Sequence, residues 1–216
     1  MIPQRFATEY PARCMQLFEL MEPAARKHEL IGSFSLIVAT SVFLIPYERM
    51  KARHPLYLPD QDAHIDNRLR AIERQSFLKS EIWNGELPGP WWFSRIMNDL
   101  NQTSCWEDEK KQHPMAGKAD NSIEKRTTND VLRVIRNALA HGNVVYLDEN
   151  GFETKGARVQ HLGFIARYEE NEEETAKAKT FRLVVATEES FLHFVKSWAR
   201  WLAKFSFEVE FLDAAE

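Results

Sequence analysis

The sequence predicts a mainly α-helical fold with a small antiparallel β elaboration and a closing C-terminal helix. Three observations predict it. From Tyr10 to His141 most segments repeat their apolar residues at three- and four-residue intervals, the spacing of one helix face. After Gly142 the period changes and short runs such as Val144-Val145-Tyr146 read as strands. The last stretch, Glu188 to Phe205, returns to helical spacing.

Taken in order, Tyr10 to Lys27 reads as a helix with Cys14, Leu17, Phe18 and Met21 on its apolar face. Ser33 to Arg53 reads as a second helix, apolar nearly all round at first and charged from Glu48 on. Pro46 is expected to kink or end it, because proline removes a backbone donor. Asp62 to Trp83 reads as a third helix, with Ile65, Leu69, Ile72 and Leu78 on one side. The stretch Asn84-Gly85-Glu86-Leu87-Pro88-Gly89-Pro90 is a turn. Trp91 to Leu100 reads as a shorter helix carrying Trp91, Trp92 and Phe93. Trp106 to Lys125 is polar and aperiodic; a loop of that length is either functional or a plain surface segment.

Thr128 to His141 is a strongly amphipathic helix, with Thr127 or Thr128 and Asp130 as its start signal and Gly142 as its stop. Val144 to Tyr146, Val159 to Arg167 and Thr180 to Ala186 read as strands. Asn150-Gly151 reads as a hairpin turn, and Glu169 to Lys179 as a charged linker. Phe191, Phe194, Val195, Trp198, Leu202 and Phe205 form the core stripe of the final helix. The organisation is one domain: a helical bundle over 1–142 and a β-meander plus C-terminal helix over 143–216, packed together.

Composition narrows the function. A net charge of -4 argues against a broad nucleic-acid-coating surface, though not against a local site. Two cysteines, Cys14 and Cys105, give neither a disulfide framework nor a zinc pattern and fit a reducing cytoplasm. The N-terminus lacks a signal-peptide layout. The apolar run Phe34 to Ile45 is shorter than the roughly 20 residues of a bilayer span, so it reads as a core helix and no membrane association is expected. His28, His54, His64, His113, His161 and His193 are scattered without metal-ligand spacing, so no metal and no cofactor is expected. Phosphate-loop, dinucleotide and serine-hydrolase motifs are missing.

The densest chemistry lies in Arg136-Asn137-Ala138-Leu139-Ala140-His141-Gly142-Asn143. On a helical wheel Val131, Leu132, Val134, Ile135, Ala138 and Leu139 face the core, while Arg133, Arg136, Asn137, Ala140 and His141 share the other half. Arg136 and His141 are about 140° apart around the axis and about 7.5 Å apart along it. Two readings stand side by side. His141 and Arg136 form a phosphate site, or His141 is a helix-end charge favoured by the macrodipole and Arg136 a solvated side chain.

This octet, late in a helical chain, resembles the Arg-x4-6-His signature of the HEPN superfamily of helical ribonuclease and nucleotide-binding domains. Asn137, directly after the Arg, is a frequent choice there. The helical segments from Tyr10 to His141 match a HEPN-like bundle in order and rough length. The resemblance implies a metal-independent endoribonuclease built as a homodimer, acting on RNA, in a bacterial defence or toxin-like setting with a cognate antitoxin or regulatory protein. It assigns catalysis to Arg136, Asn137 and His141. Non-catalytic HEPN modules that bind nucleotide, RNA or protein are the alternative it also allows. Lys125, Arg126 and Arg133 are the candidates for a basic RNA path toward Arg136, with a solvated face as the other reading. Glu48 is the candidate for an additional polar site residue on an earlier helix, against a surface Glu at a helix end. Trp91-Trp92-Phe93 either stacks bases or packs in the core.

Overall fold

A computed structural model describes residues 6–51, 59–116, 122–154, 158–167 and 180–213, with side chains at 6–9, 59–62 and 205–213 outside the description. The chain falls into two compact units. One comprises residues 1–75, 79–87 and 192–216, and the other comprises 76–78 and 88–191.

The first unit is helical. It holds α1 (Phe6–Lys27), α2 (Ile31–Ala39), α3 (Ile45–Arg49), α4 (Pro59–Glu73) and, from Leu192 on, the helix that closes the chain. Aromatic residues build its core. Phe18 meets Phe34 with centroids 4.7 Å apart, and Phe43 meets both Phe194 at 5.4 Å and Trp198 at 5.0 Å edge-on, the geometry that aromatic quadrupoles favour. The apolar run Phe34 to Ile45 lies within Ile31–Arg49. By length and composition that segment could cross a bilayer, and half of its most apolar window is buried in the protein. Two of its hydroxyls are satisfied locally: Ser35 Oγ donates to the Gly32 carbonyl at 2.8 Å and Thr40 Oγ1 to the Leu36 carbonyl at 3.1 Å.

Pro46 does not end this helix, which continues to Arg49. Instead a π-helical turn, Thr40–Leu44, sits directly before it. The wider turn makes room for the proline ring against the preceding carbonyls. The expected helix Asp62 to Trp83 is also corrected. α4 stops at Glu73, and two single 3-10 turns follow, Phe77–Lys79 and Glu81–Trp83. Competing hydrogen bonds break it: the Gln75 side chain accepts from Glu81 N–H at 2.8 Å, and Ser80 Oγ caps Ile82 N–H.

The second unit is a four-stranded antiparallel sheet in the order β1-β4-β3-β2, made of β1 (Trp91–Ile96), β2 (Val144–Leu147), β3 (His161–Arg167) and β4 (Phe181–Thr187). α5 (Thr128–His141) packs on β3 and β4. On the sheet a cluster of Ile96, Leu147, Ile165, Leu183 and Val185 is joined by Trp106. The start of α6 (Glu188–Asp213) adds Phe191, whose ring lies 4.7 Å from that of Phe164. Phe205 and the charged linker Glu169 to Lys179 lie outside the described side chains and residues.

Trp91 to Leu100, expected as a helix, is instead strand β1 over Trp91–Ile96. Its partner is β4, with Trp91 opposite Ala186 and Ile96 opposite Phe181. Trp91 and Phe93 are buried in the core, while Trp92 is half-buried and packs edge-on against His161 at 5.2 Å. The polar segment after Trp106 is tied down by Asp108, whose carboxylate accepts from Lys110 N–H at 2.8 Å and Gln112 N–H at 3.0 Å. The turn at Asn150-Gly151 forms, with Asp148 Oδ1 accepting from Asn150 and Phe152 N–H and Gly151 at φ 83.

Candidate functional site

α5 is set by both of its ends. Thr127 Oγ1 accepts from Asp130 N–H at 3.2 Å, and the Asp130 carboxylate accepts from Thr127 N–H at 3.1 Å. This reciprocal capping box satisfies two otherwise unpaired donors. At the other end Gly142 adopts φ 69, ψ 22, a left-handed conformation that glycine enters without steric cost. Between the ends Val131, Leu132, Val134, Ile135 and Ala138 are buried, while Arg136 and Asn137 are half-buried and Ala140 and His141 exposed. Helical spacing thus fixes which side chains reach solvent.

Asn137, His141, Gly142 and Asn143 line a cleft of about 740 Å³. Its other walls include Asn101, Thr103 and Trp106 from the segment after β1, Glu153 after the β2 turn, and Arg167 and Phe181 at the ends of β3 and β4. Arg136 is not among the lining residues; its Nη1 donates to Asn137 Oδ1 at 2.6 Å. The guanidinium therefore holds the carboxamide oxygen and leaves the Asn137 amide N–H groups as donors. Trp106 is 2% exposed, and its indole N–H has no hydrogen-bond partner among the described residues.

The other sequence-nominated residues are not among those lining this cleft. Lys125 and Arg126 precede α5 and line a separate cavity of about 330 Å³ with Arg95, Asp108, Glu109 and Lys110. Arg126 stacks over the Phe93 ring at 4.3 Å and donates to Ser122 Oγ. α5, with fourteen residues, spans about 21 Å, so Lys125 and Arg126 stand a helix length from His141. Arg133 is exposed and is not among the residues lining the cleft. Glu48 is half-buried in α3 of the first unit. Among the described residues no group of three or more His, Cys, Asp or Glu gathers to hold a metal ion.

Sequence reasoning nominated neither Asn143, Asn101, Thr103, Trp106, Glu153 nor Arg167 as site residues. Asn143 carried a signal, since it follows the helix-stopping Gly142 directly. The others are separated from the motif by 10 or more residues of chain, and only the sheet brings them to it.

The wall next to the motif is held by backbone bonds. Asn143 N–H donates to the Ala138 carbonyl at 2.9 Å, and its own carbonyl accepts from Ile165 N–H at 3.0 Å. The facing wall is held by Thr103, whose hydroxyl accepts from Glu153 N–H at 2.7 Å. His113 reinforces it. Its Nδ1 accepts from Met115 N–H at 3.3 Å, which leaves Nε2 to donate to the Thr103 carbonyl at 3.0 Å. Burial pushes the His113 imidazole below its ordinary range, against the opposing pull of Thr103 and Asp148.

A family model described as HEPN pEK499 p136 matches residues 1–208. No curated protein and no solved structure matches the chain.

Proposed function

Because the chain belongs to the HEPN pEK499 p136 family, and so to the HEPN superfamily, we propose that it is a metal-independent endoribonuclease acting as a homodimer. The observation that carries this reading is that Asn137 and His141 line one cleft while Arg136 is bonded to Asn137 at 2.6 Å. The three residue types suit attack at phosphate. His141 takes the proton from a ribose 2′-OH, because a neutral imidazole nitrogen offers the lone pair that accepts it. The 2′-oxygen forms its bond to phosphorus as the P–O5′ bond breaks. The partner's His141 gives a proton to the leaving 5′-oxygen. Products are a 2′,3′-cyclic phosphate and a 5′-hydroxyl. Asn137 donates to a phosphate oxygen, and Arg136 both orients Asn137 and places positive charge where negative charge develops.

RNA cleavage is expected to persist in excess EDTA and to leave the cyclic phosphate. Loss on chelation with recovery on adding magnesium or manganese would overturn the metal-independent mechanism. A non-catalytic module binding a nucleotide, RNA or a protein is the second reading. It is favoured by the place of Arg136 outside the cleft lining. A wild-type dimer that binds RNA and cleaves none across a broad panel would establish that reading instead.

A further inference from the structure

Asn137 and His141 occupy only part of the cleft wall. Its volume of about 740 Å³ falls in the range of roughly 300–1,000 Å³ that small-molecule pockets occupy, room for one nucleotide beyond the phosphate under attack. The lining is mixed in the way a base requires. Leu100, Val145, Ile165 and Phe181 offer apolar surface to the faces of a ring. Asn101 and Asn143, both exposed, bring carboxamides that carry donor and acceptor on one group. That combination pairs with the polar edge of a nucleobase, as asparagine does with adenine. Arg167 brings a guanidinium to the same cleft, suited to a flanking phosphate.

We propose that the cleft is a nucleobase subsite, in which Asn101 and Asn143 read the base adjoining the phosphate that His141 serves. The proposal rests on the ribonuclease reading above and adds its specificity-determining residues. It predicts a preference at one nucleotide position beside the cleaved bond. Asn101 and Asn143 act in selection and not in proton transfer.

The test uses the full-length chain and a short RNA pool randomised at every position, with cleavage sites mapped by sequencing. Wild type is expected to show a base preference at one position. Asn101→Ala and Asn143→Ala are expected to flatten it, lowering kcat/KM at preferred sites about tenfold while melting temperatures hold. Cleavage without base preference, or preference unchanged in both variants, overturns the subsite. A parallel arm measures binding of four uncleavable 2′-O-methyl homopolymers. If wild type cleaves nothing, the ribonuclease reading fails by itself, and the binding arm still decides the subsite. Unequal affinities among the four that become equal in the variants support it; equal affinities in wild type overturn it.

Discussion

His141 is exposed at a helix end, so its removal separates chemistry from stability. General acid–base groups contribute about 10²- to 10⁴-fold in rate, whereas a helix-end charge is worth about 0.3–1 kcal/mol. His141→Ala is expected to collapse RNA cleavage while the melting temperature barely moves and RNA still binds. Cleavage by this variant at the wild-type rate would end the assignment of His141 as the proton-transfer group. Arg136→Ala is expected to weaken both binding and turnover, because it releases Asn137 Oδ1 as well as removing a charge. A selective loss of turnover with unchanged affinity would show that Arg136 acts in the transition state alone.

His113 and His193 give the protein a pH dependence whose sign follows from their burial. Burial lowers both imidazoles below their ordinary range; in His193 the Glu86 carboxylate opposes it. A histidine with a depressed folded-state pKa is neutral in the fold and protonates more readily in the unfolded chain. Stability is therefore full above the ordinary histidine range and falls as pH drops through it toward the depressed folded values. Melting temperatures recorded from pH 8 down to pH 5 are expected to decline in that window. His113→Gln, which removes the titrating group beside Thr103, is expected to flatten part of the decline. A profile that is level down to the carboxylate range would refute this. Glu22 acts in a lower window. Burial raises its carboxyl, but bonds from Lys196 and Arg26 outweigh that and hold it lowered, so its contribution is lost only as carboxylates protonate.

Among the elements, α5 carries the most information per residue. Its capping box, apolar stripe and glycine stop are all local, and its bounds, Thr128–His141, coincide with those expected from sequence. Gly142 is the sensitive position. A Cβ there would meet no atom of the described residues within 4 Å, so the cost of Gly142→Ala is conformational, roughly 1–2 kcal/mol for a left-handed L-residue. The variant is expected to lower stability by that amount, read as a fall in melting temperature. It is also expected to reduce cleavage, because the turn at Gly142 aims both His141 and Asn143. Unchanged stability would mean that the turn relaxes into another conformation. The strand β1 shows the opposite case. Six residues rich in Trp and Phe have no decisive period, and short apolar runs suit either a helix or a strand. Pairing with β4, far along the chain, decides it.

For the whole molecule, the homodimer is the expectation with the largest consequence. If one cleavage needs His141 from both protomers, mixing matters. Equal amounts of wild type and His141→Ala, allowed to exchange, leave roughly one quarter of dimers with two intact chains. Activity is then expected to fall to about that fraction of the all-wild-type value at equal total protein. A fall to about one half would indicate independent sites, and a monomer by light scattering would remove the composite site altogether.

The sequence by itself determined the mainly helical character, the motif helix with its ends, the positions of β2, β3, β4 and the final helix, and the HEPN superfamily. These depend on periodicity, capping and stop signals, which act within a few residues of one another. It also singled out Arg136, Asn137 and His141, because one helix face holds them. Only the tertiary structure decided that Trp91–Ile96 is a strand, that helix α4 ends at Glu73, and that Asn101, Thr103, Trp106 and Arg167 share a cleft with His141. It likewise separated Lys125 and Arg126 from that cleft. The physical reason is range. A helix satisfies its own backbone within four residues, whereas a strand needs a distant partner and a cleft needs several, and no local pattern records which distant segments meet.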